Sequence, residues 1–302
     1  MQITPHVLPD AYEFLTCLTQ NTEWTPPEDG FYRVTCIGAS AAGTGGGSGH
    51  SWNEDCGVVG HATGSNHKRC FAGGDGGNGG GAGGLARSVL DLKTAGTIHC
   101  TVSNTVSSFG NFLSATSGKG TSGGAGSGGT DFNTIGGNGG SGGNRGSGRY
   151  TSCGSPGKSL DNPITGTQGG NNGAKGGSVY YQSFDSGNMS SIMSNIPKVG
   201  GGGGGGGGAY VLPSDIAYDD PLRTTYITIG LSGYSGGNGA GNTNIKALPG
   251  SSYPAFSATK PKWFGGGNGG GGGSPWDTSI KNGASGSSGS PGGILIEKGV
   301  FN

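Results

Sequence analysis

Two cysteines and two histidines lie close together in the sequence, in an order whose side chains could hold a metal ion. The four residues are Cys56, His61, His67 and Cys70, spaced as Cys-x4-His-x5-His-x2-Cys. Two thiolates and two imidazoles can complete a tetrahedral zinc site, but this spacing differs from that of a standard zinc finger. We therefore predict no metal site. A disulfide between Cys56 and Cys70 is an alternative, and free, partly buried thiols are the default for the six cysteines.

The sequence contains little that is typical of an enzyme. Among 17 acidic residues and 5 histidines, no Ser-His-Asp or paired-carboxylate arrangement stands out. Matches to Gly-x-Gly-x-x-Gly are inevitable in a chain with 75 glycines, and a cofactor fingerprint needs a preceding strand and a following helix. We expect no catalysis and no cofactor. Lys and Arg also total 17, without a basic stripe, which does not favour nucleic-acid binding.

Aromatic residues occur in short segments between the glycine tracts, many beside Asp, Asn or Ser. Loops held by a stiff scaffold commonly carry function, and Tyr and Trp offer large contact area at low entropic cost. These segments predict a surface that binds carbohydrate or protein. The alternative is that individual rings pack against the scaffold. The candidate receptor-binding residues are Trp52, Tyr180, Tyr181, Phe184, Tyr218, Tyr253, Trp263 and Trp276.

Glycine makes up 75 of the 302 residues, and many of its tracts have a period of three. Residues 73–81 and 136–144 read as Gly-Gly-X triplets, and 200–208 are all glycine. Three residues per turn is the period of the extended left-handed helix that has no internal hydrogen bonds. Its N–H and C=O groups need partners outside the helix. We predict polyglycine-II helices packed side by side, with Asn, Ser, Asp and Ala on outward edges and the tracts 200–208 and much of 265–273 enclosed. The representative structural glycines are Gly76, Gly139, Gly204 and Gly270.

Two other interpretations of the glycine content are possible in principle. A composition this rich in glycine is typical of disordered chains. However, a flexible linker does not need a period of three, and the formal net charge of the chain is zero rather than large. Collagen requires glycine at every third position with proline between, whereas these tracts are mostly Gly-Gly-X. An ordered bundle is the interpretation that we favour.

The remaining sequence predicts a mainly β and irregular fold, with a small β-sandwich-like base. Alternation and turn residues indicate strands at 31–37, 96–102, 108–115, 224–230 and 293–297, which would place Cys36 and Cys100 in the core. Asp10 is expected to cap a short amphipathic helix that runs to about Gln20. We divide the chain into an attachment segment, 1–22, and one interwoven unit of base and glycine bundle, 23–302. We expect neither a secretory signal nor a membrane span, because no suitable apolar run is present.

Three motifs carry a resemblance to a known family. Residues 27–38 read Pro-x-Asp-Gly-x-Tyr-x-Val-x-x-Ile-Gly, residues 108–116 contain Ser-Phe-Gly followed by Leu-Ser-Ala-Thr, and residues 291–297 read Pro-Gly-Gly-Ile-Leu-Ile-Glu. Together they resemble the glycine-rich domains at the ends of bacteriophage tail fibres, similar in architecture to the adhesins of T-even-like phages. A departure is the stretch 39–44, which replaces a pure glycine run after the first strand and leaves open whether this tract is a rod or a loop.

The resemblance implies a receptor-binding protein at the tip of a virion fibre, assembled in the host cytoplasm. Its loops would recognise a glycan or protein of the host cell surface, and its base would contact a neighbouring virion protein. No nucleic acid and no membrane insertion are expected. The alternative function is a glycine-rich spacer or decoration protein, of a virion or a cell wall, that binds no ligand.

Overall fold

In the residues that it describes, the computed structural model is mainly β-structure and irregular chain with almost no helix, which confirms the predicted mainly β class. It describes residues 8–48, 50–52, 69–72, 74, 76–118, 178–181, 207–208, 210, 212, 216–227, 247–273 and 282–302. Of residues 50–52, 69–72 and 178–181 it describes the backbone alone.

The named strands of the described chain pair antiparallel and form three sheets. Sheet A has the order β1-β11-β3-β6, sheet B the order β2-β7-β8-β9, and sheet C the order β10-β5-β4. The strands are β1 (Ala11–Leu18), β2 (Thr22–Trp24), β3 (Gly30–Ile37), β4 (His50–Trp52), β5 (Arg69–Ala72), β6 (Leu85–Leu92), β7 (Ile98–Val102), β8 (Val106–Phe109), β9 (Leu113–Thr116), β10 (Ser178–Tyr181) and β11 (Gly293–Val300).

Sheets A and B form the base, packed face to face around one hydrophobic core. Strand β3 alternates, so that Tyr32, Val34 and Cys36 all point into this core and are fully buried. Strand β11 contributes Ile294 and Ile296 to the same core. Sheet B supplies Ile98, Cys100, Phe109, Leu113 and Ala115. The strands predicted at 31–37 and 293–297 are confirmed, and so is the core position of Cys36 and Cys100.

The predicted strand at 108–115 is divided by a tight turn between β8 and β9. Phe112 donates its amide to the carbonyl of Phe109 at 3.1 Å, which closes the turn. Gly110 has φ of 52° at this point. Only glycine adopts such a conformation without strain, so the Ser-Phe-Gly motif marks a hairpin rather than one continuous strand.

The helix predicted from Asp10 to about Gln20 is wrong, because this segment forms strand β1 at the edge of sheet A. It pairs with β11 from Ala11 opposite Val300 to Leu18 opposite Ile294, with an irregularity between Phe14 and Thr16. The apolar spacing that suggested a helix fits a bulged strand equally well. The ladder with β11 decides between them, since it satisfies the backbone polar groups along the length of the segment. The attachment role of residues 1–22 stays a prediction.

A second correction concerns the strand predicted at 224–230. Residues Leu222–Tyr226 form a single turn of π-helix, in which the amide of Ile227 donates to the carbonyl of Leu222 at 3.0 Å. The Asp220 carboxylate starts this turn by accepting the amide of Leu222 at 2.7 Å. Ile227 then forms an isolated parallel bridge with Trp263. Residues 228–230 lie outside the described residues.

Sheet A is covered on its second face as well, by the chain around this π-turn. A second hydrophobic cluster joins Ile37 and Leu295 of the sheet to side chains that arrive from far along the sequence. The other buried members are Cys17, Ala82, Leu85, Tyr210, Leu212, Leu222, Tyr226, Ile227 and Trp263. Because both faces of sheet A are buried, its central strand β11 carries three consecutive buried apolar residues, Ile294, Leu295 and Ile296.

Four extended segments built mainly from glycine, alanine and serine run side by side next to the base. We name them S1 (38–47), S2 (74 and 76–84), S3 (265–273) and S4 (284–290). S1 donates backbone hydrogen bonds to S2 from every third residue, namely from residues 38, 41 and 44, and to S4 from residues 40, 43 and 46. S2 donates to S3 from residues 74, 77 and 80, S3 to S1 from residues 267, 270 and 273, and S4 to S3 from residues 284, 287 and 290.

These hydrogen bonds are short, and their order defines the direction of each segment. All N···O distances between the four segments lie between 2.7 and 3.0 Å. Paired residue numbers rise together only between S3 and S1, so these two run parallel, while every other bonded pair is antiparallel. S1 thus takes part in the lattice like the other three segments. All residues of S3 are buried, which agrees with the burial predicted for much of 265–273.

The prediction that Asn and Ser mark outward edges is wrong for several described triplets. Asn268 is fully buried, and Asn78 and Ser287 are nearly so. The side chain of Asn268 accepts the amide of Gly207 at 2.8 Å and donates to the carbonyl of Ser251 at 2.7 Å. Ser287 Oγ accepts the amide of Asn268 at 2.8 Å. These polar side chains are inside because they pair backbone groups that the lattice alone leaves open.

Candidate functional site

The structure places the predicted aromatic residues in very different positions. Phe184 and Trp276 lie outside the described residues. Trp52, Tyr180 and Tyr181 lie in sheet C, where only the backbone is described. In that sheet Trp52 and Tyr180 share one register position, since both pair with Cys70 of the central strand. The candidates whose side chains are described are Tyr218, Tyr253 and Trp263.

Trp263 is a core residue and not a surface one. Its side chain is fully buried, and its indole Nε1 donates to the carbonyl of Pro291 at 3.0 Å. Its ring packs at 5.1 Å from that of Phe256. The prediction that Trp263 contacts a receptor is therefore wrong for this conformation, because a buried indole with a satisfied N–H has no surface to offer.

Tyr218 is the most exposed of the three, at 86% of its maximal accessible area. It lies on the turn that precedes the π-helix. The Arg223 guanidinium lies 4.9 Å from the centre of its ring, within the range of a cation–π interaction. Arg223 is held in turn by a hydrogen bond of 3.1 Å from Nη2 to the carbonyl of Ile216. The turn therefore presents an oriented ring to the surroundings.

Tyr253 lines a concave pocket between the loop 251–264 and segment S4. The pocket has a volume of about 260 Å³. Its walls combine aromatic rings, prolines, serine hydroxyls and one charged side chain. The lining residues are Ser252, Tyr253, Pro254, Phe256, Lys262, Phe264, Ser288, Gly289, Ser290 and Pro291.

The aromatic wall of this pocket is fixed by contacts with S3. The rings of Tyr253 and Phe264 stack at 5.1 Å with an interplanar angle of 16°. The Tyr253 hydroxyl donates to the carbonyl of Gly266 at 2.7 Å. Because both ends of the tyrosine are engaged, its ring has a defined position before any ligand arrives.

A serine and a glycine fix the opposite side, where the loop enters S3. Ser290 Oγ accepts the amides of Phe264 at 2.7 Å and Gly265 at 3.2 Å. Gly265 has φ of 94°, a conformation that residues with a Cβ rarely adopt. The sequence alone could not reveal this pocket, since 253–264 and 288–291 meet only through the S3–S4 pairing.

A buried ionic cluster holds the π-turn on sheet A, and sequence reasoning missed it. The fully buried carboxylate of Glu297 accepts two hydrogen bonds of 2.7 Å from Arg33, through Nε and Nη2. Arg87 donates to both Asp220 oxygens, at 3.0 and 3.1 Å. Arg33 also lies 3.6 Å from Asp220 and 4.4 Å from the centre of the Tyr12 ring. Two cations and two anions face one another, so the formal charge of the cluster is zero.

The pKa of Arg33 shows how this cluster tolerates burial. Burial by itself acts to lower the pKa of the guanidinium, but the hydrogen bonds and charge of Glu297, together with the charge of Asp220, outweigh it and raise the pKa. Arg33 stays charged. The cluster therefore acts as a neutral ionic clamp between sheet A and the π-turn.

The cysteines with described side chains show no reactive thiol. Cys17, Cys36 and Cys100 are free and buried. Burial raises the pKa of the Cys17 thiol to about 12 and that of Cys100 to about 11, which disfavours the nucleophilic thiolate. Within the described part of the chain no group of His, Cys, Asp and Glu could hold a metal ion. Cys56, His61 and His67 lie outside that part, and of Cys70 only the backbone is described, so the prediction of no metal there is not tested.

The predicted structural glycines have different outcomes. Gly270 is in tight contact, since a Cβ at this position would overlap the carbonyl oxygens of Ala284 and Ser285 in the neighbouring segment. Gly76 is buried in S2. Gly139 and Gly204 lie outside the described residues, although Gly207 and Gly208 of the same nine-residue run are buried and hydrogen-bonded to neighbouring segments.

Comparisons with protein-family models and with curated protein sequences found no match to this chain. In the portion of the chain that the structure describes, no helix has the length and apolar character needed to cross a bilayer. The functional argument therefore depends on the residues and geometry described above.

Proposed function

We propose that segments S1 to S4 are packed polyglycine-II helices, and that the protein is a receptor-binding adhesin at the tip of a bacteriophage tail fibre. The observation that carries the proposal is the period of three in the inter-segment hydrogen bonds. A helix with three residues per turn directs successive N–H groups towards three neighbours, which matches the way S1 and S3 each bond to three other segments.

The close approach of the segments supports the same assignment. At Gly43, Gly46, Gly77 and Gly80 an added Cβ would overlap a backbone carbonyl of an adjacent segment. At these four positions the backbones are too close to leave space for a side chain. A lattice of this kind is rigid, so recognition falls to the loops that leave it.

Binding rather than turnover is the proposed mechanism. The aromatic loop 251–264 and the turn with Tyr218 are built on the rigid lattice and base, while the described cysteine thiols are buried and the Arg33, Arg87, Asp220 and Glu297 side chains pair with one another. The proposed ligand is a glycan or protein of a host cell surface. The proposed partner of the base is a neighbouring virion protein, and the proposed location is the virion.

The experiment is binding of labelled protein to a panel of bacterial strains, with and without competing surface polysaccharide. Saturable, strain-specific binding is expected. Absence of saturable binding to every strain that the parent particle infects would contradict the adhesin proposal and favour the non-binding spacer.

A variant pair sharpens this experiment. Tyr218→Ala removes the most exposed ring among the candidates with described side chains, and Phe112→Ala removes an exposed ring of the base, 48% accessible, that is not a candidate. We expect at least about a thirtyfold loss of affinity from Tyr218→Ala, the loss of about 2 kcal/mol that defines an interface hot spot, and none from Phe112→Ala. Equal affinities of the two variants would exclude the Tyr218 turn from the contact surface.

A further inference from the structure

We propose that the pocket between loop 251–264 and S4 binds a single negatively charged pyranose, such as the uronate unit of a surface polysaccharide. This inference rests on the proposed receptor-binding function, because it names the ligand class that such an adhesin would recognise. Four properties of the pocket carry it: its size, its mixed walls, its charge and its rigidity.

The size of the pocket restricts the ligand to about one sugar ring. A volume of about 260 Å³ is below the range of roughly 300–1,000 Å³ typical of sites for drug-sized ligands. An extended peptide or a nucleotide would not fit inside, whereas one pyranose of a longer chain would.

The walls match the two kinds of surface that a pyranose has. Tyr253 and Phe264 supply aromatic rings, whose faces carry partial negative charge and attract the C–H groups of a sugar. Ser252, Ser288 and Ser290 supply hydroxyls that can form hydrogen bonds with the hydroxyl groups around the edge of the sugar ring. Ser290 Oγ already accepts two amides, so its own O–H is directed to another acceptor.

The charge of the pocket favours an acidic sugar over a neutral one. Lys262 is the only charged residue among those that line it. Lys262 is exposed and has no ion pair with any residue that the structure describes. A carboxylate on the ligand would gain a charge-assisted hydrogen bond from this ammonium. Because the lysine is solvated, the gain is that of a surface ion pair, at most about 1 kcal/mol, or about fivefold in affinity.

The pocket is organised before binding. Tyr253 is fixed by its stack with Phe264 and its bond to Gly266, and the S3–S4 pairing sets the distance between the two walls. A weak ligand such as a monosaccharide can bind only where few groups need ordering. The structure meets that condition here.

The test measures binding of methyl β-D-glucuronide and methyl β-D-glucoside to the full chain by ligand-observed NMR titration at low salt. The glucuronide should bind about fivefold more tightly. The Lys262→Gln variant should bind the two sugars with equal affinity. The matched control Lys260→Gln changes an exposed lysine outside the pocket lining and should retain the preference. In about 1 M salt, where the screening length is about 3 Å, the preference should also disappear.

Three results would overturn the inference: no binding of either sugar, equal binding of both to the unaltered protein, or the same preference in Lys262→Gln and Lys260→Gln. The outcome is separable from that of the cell-binding experiment. Saturable cell binding without any sugar preference would leave the adhesin proposal standing and remove this one. Preference for the glucuronide that depends on Lys262, without any cell binding, would support the pocket inference and contradict the adhesin proposal.

Discussion

At the residue scale, the packing of S3 requires glycine at some positions and a polar side chain at others. Gly270 borders Ala284 and Ser285 so closely that no Cβ fits. Two residues earlier in S3, the Asn268 amide side chain pairs backbone groups of two neighbouring segments. Glycine and asparagine in the one triplet Asn268-Gly269-Gly270 thus have opposite roles, because the glycine admits a neighbouring backbone and the asparagine bonds to one.

Replacement of Gly270 by alanine is expected to destabilise the fold strongly. The added methyl group would meet backbone atoms, which cannot rotate away, so we expect a loss near or above the upper end of the usual overpacking range, about 3 kcal/mol. Thermal unfolding followed by circular dichroism measures the effect. The matched control is Gly30→Ala, because a Cβ at Gly30 meets nothing within 4 Å; it should change stability by no more than about 1 kcal/mol. Similar melting of both variants would show that the segments are not packed as described.

At the element scale, the sequence predicted the strands whose apolar residues alternate clearly. It failed where contacts with residues far along the chain determine the local structure. Strand β3 shows its alternation directly in Tyr32, Val34 and Cys36. Strand β1 was mistaken for a helix because its spacing fits both periods, and only the ladder with β11, almost 300 residues away, resolves the ambiguity. The π-turn at Leu222–Tyr226 depends in the same way on Asp220 meeting Arg87.

We predict that Asp220 fixes the π-turn on sheet A through its contacts with Arg33 and Arg87. Asp220→Asn keeps a side-chain oxygen for the Leu222 amide but removes the charge that faces Arg33 and Arg87. We expect a loss of about 1.5–3 kcal/mol, the size of hydrogen bonds to charged groups, and faster tryptic cleavage after Arg223. The measurements are thermal unfolding and limited proteolysis.

The control for this prediction is the neighbouring Asp219→Asn. Asp219 is exposed and forms no ion pair within the described chain, so its change should leave melting and cleavage as they are in the unaltered protein. If Asp220→Asn behaves like Asp219→Asn, the π-turn is held by its apolar contacts alone.

At the scale of the whole molecule, the base and the glycine segments form one connected set of hydrogen bonds. S1 continues directly from β3, S2 leads into β6, and S4 leads into β11, so three strands of sheet A each extend into the lattice. The period of three in the sequence predicted that such segments would associate. It could not predict which segments are neighbours, because that depends on sheet A, nor the candidate pocket, which exists only where S4 lies beside the loop after Gly250.

The most direct test of this account is amide hydrogen exchange along S1, measured by NMR. The amides of Ala41, Gly43, Thr44 and Gly46 donate to neighbouring segments, whereas those of Ala42 and Gly45 lie on exposed residues and have no partner in the described chain. We predict slow exchange at the first four positions and fast exchange at the other two, a protection pattern that repeats every three residues. Uniformly fast exchange, or protection at alternate residues as in an edge strand, would contradict the packed three-residue lattice on which the proposed adhesin depends.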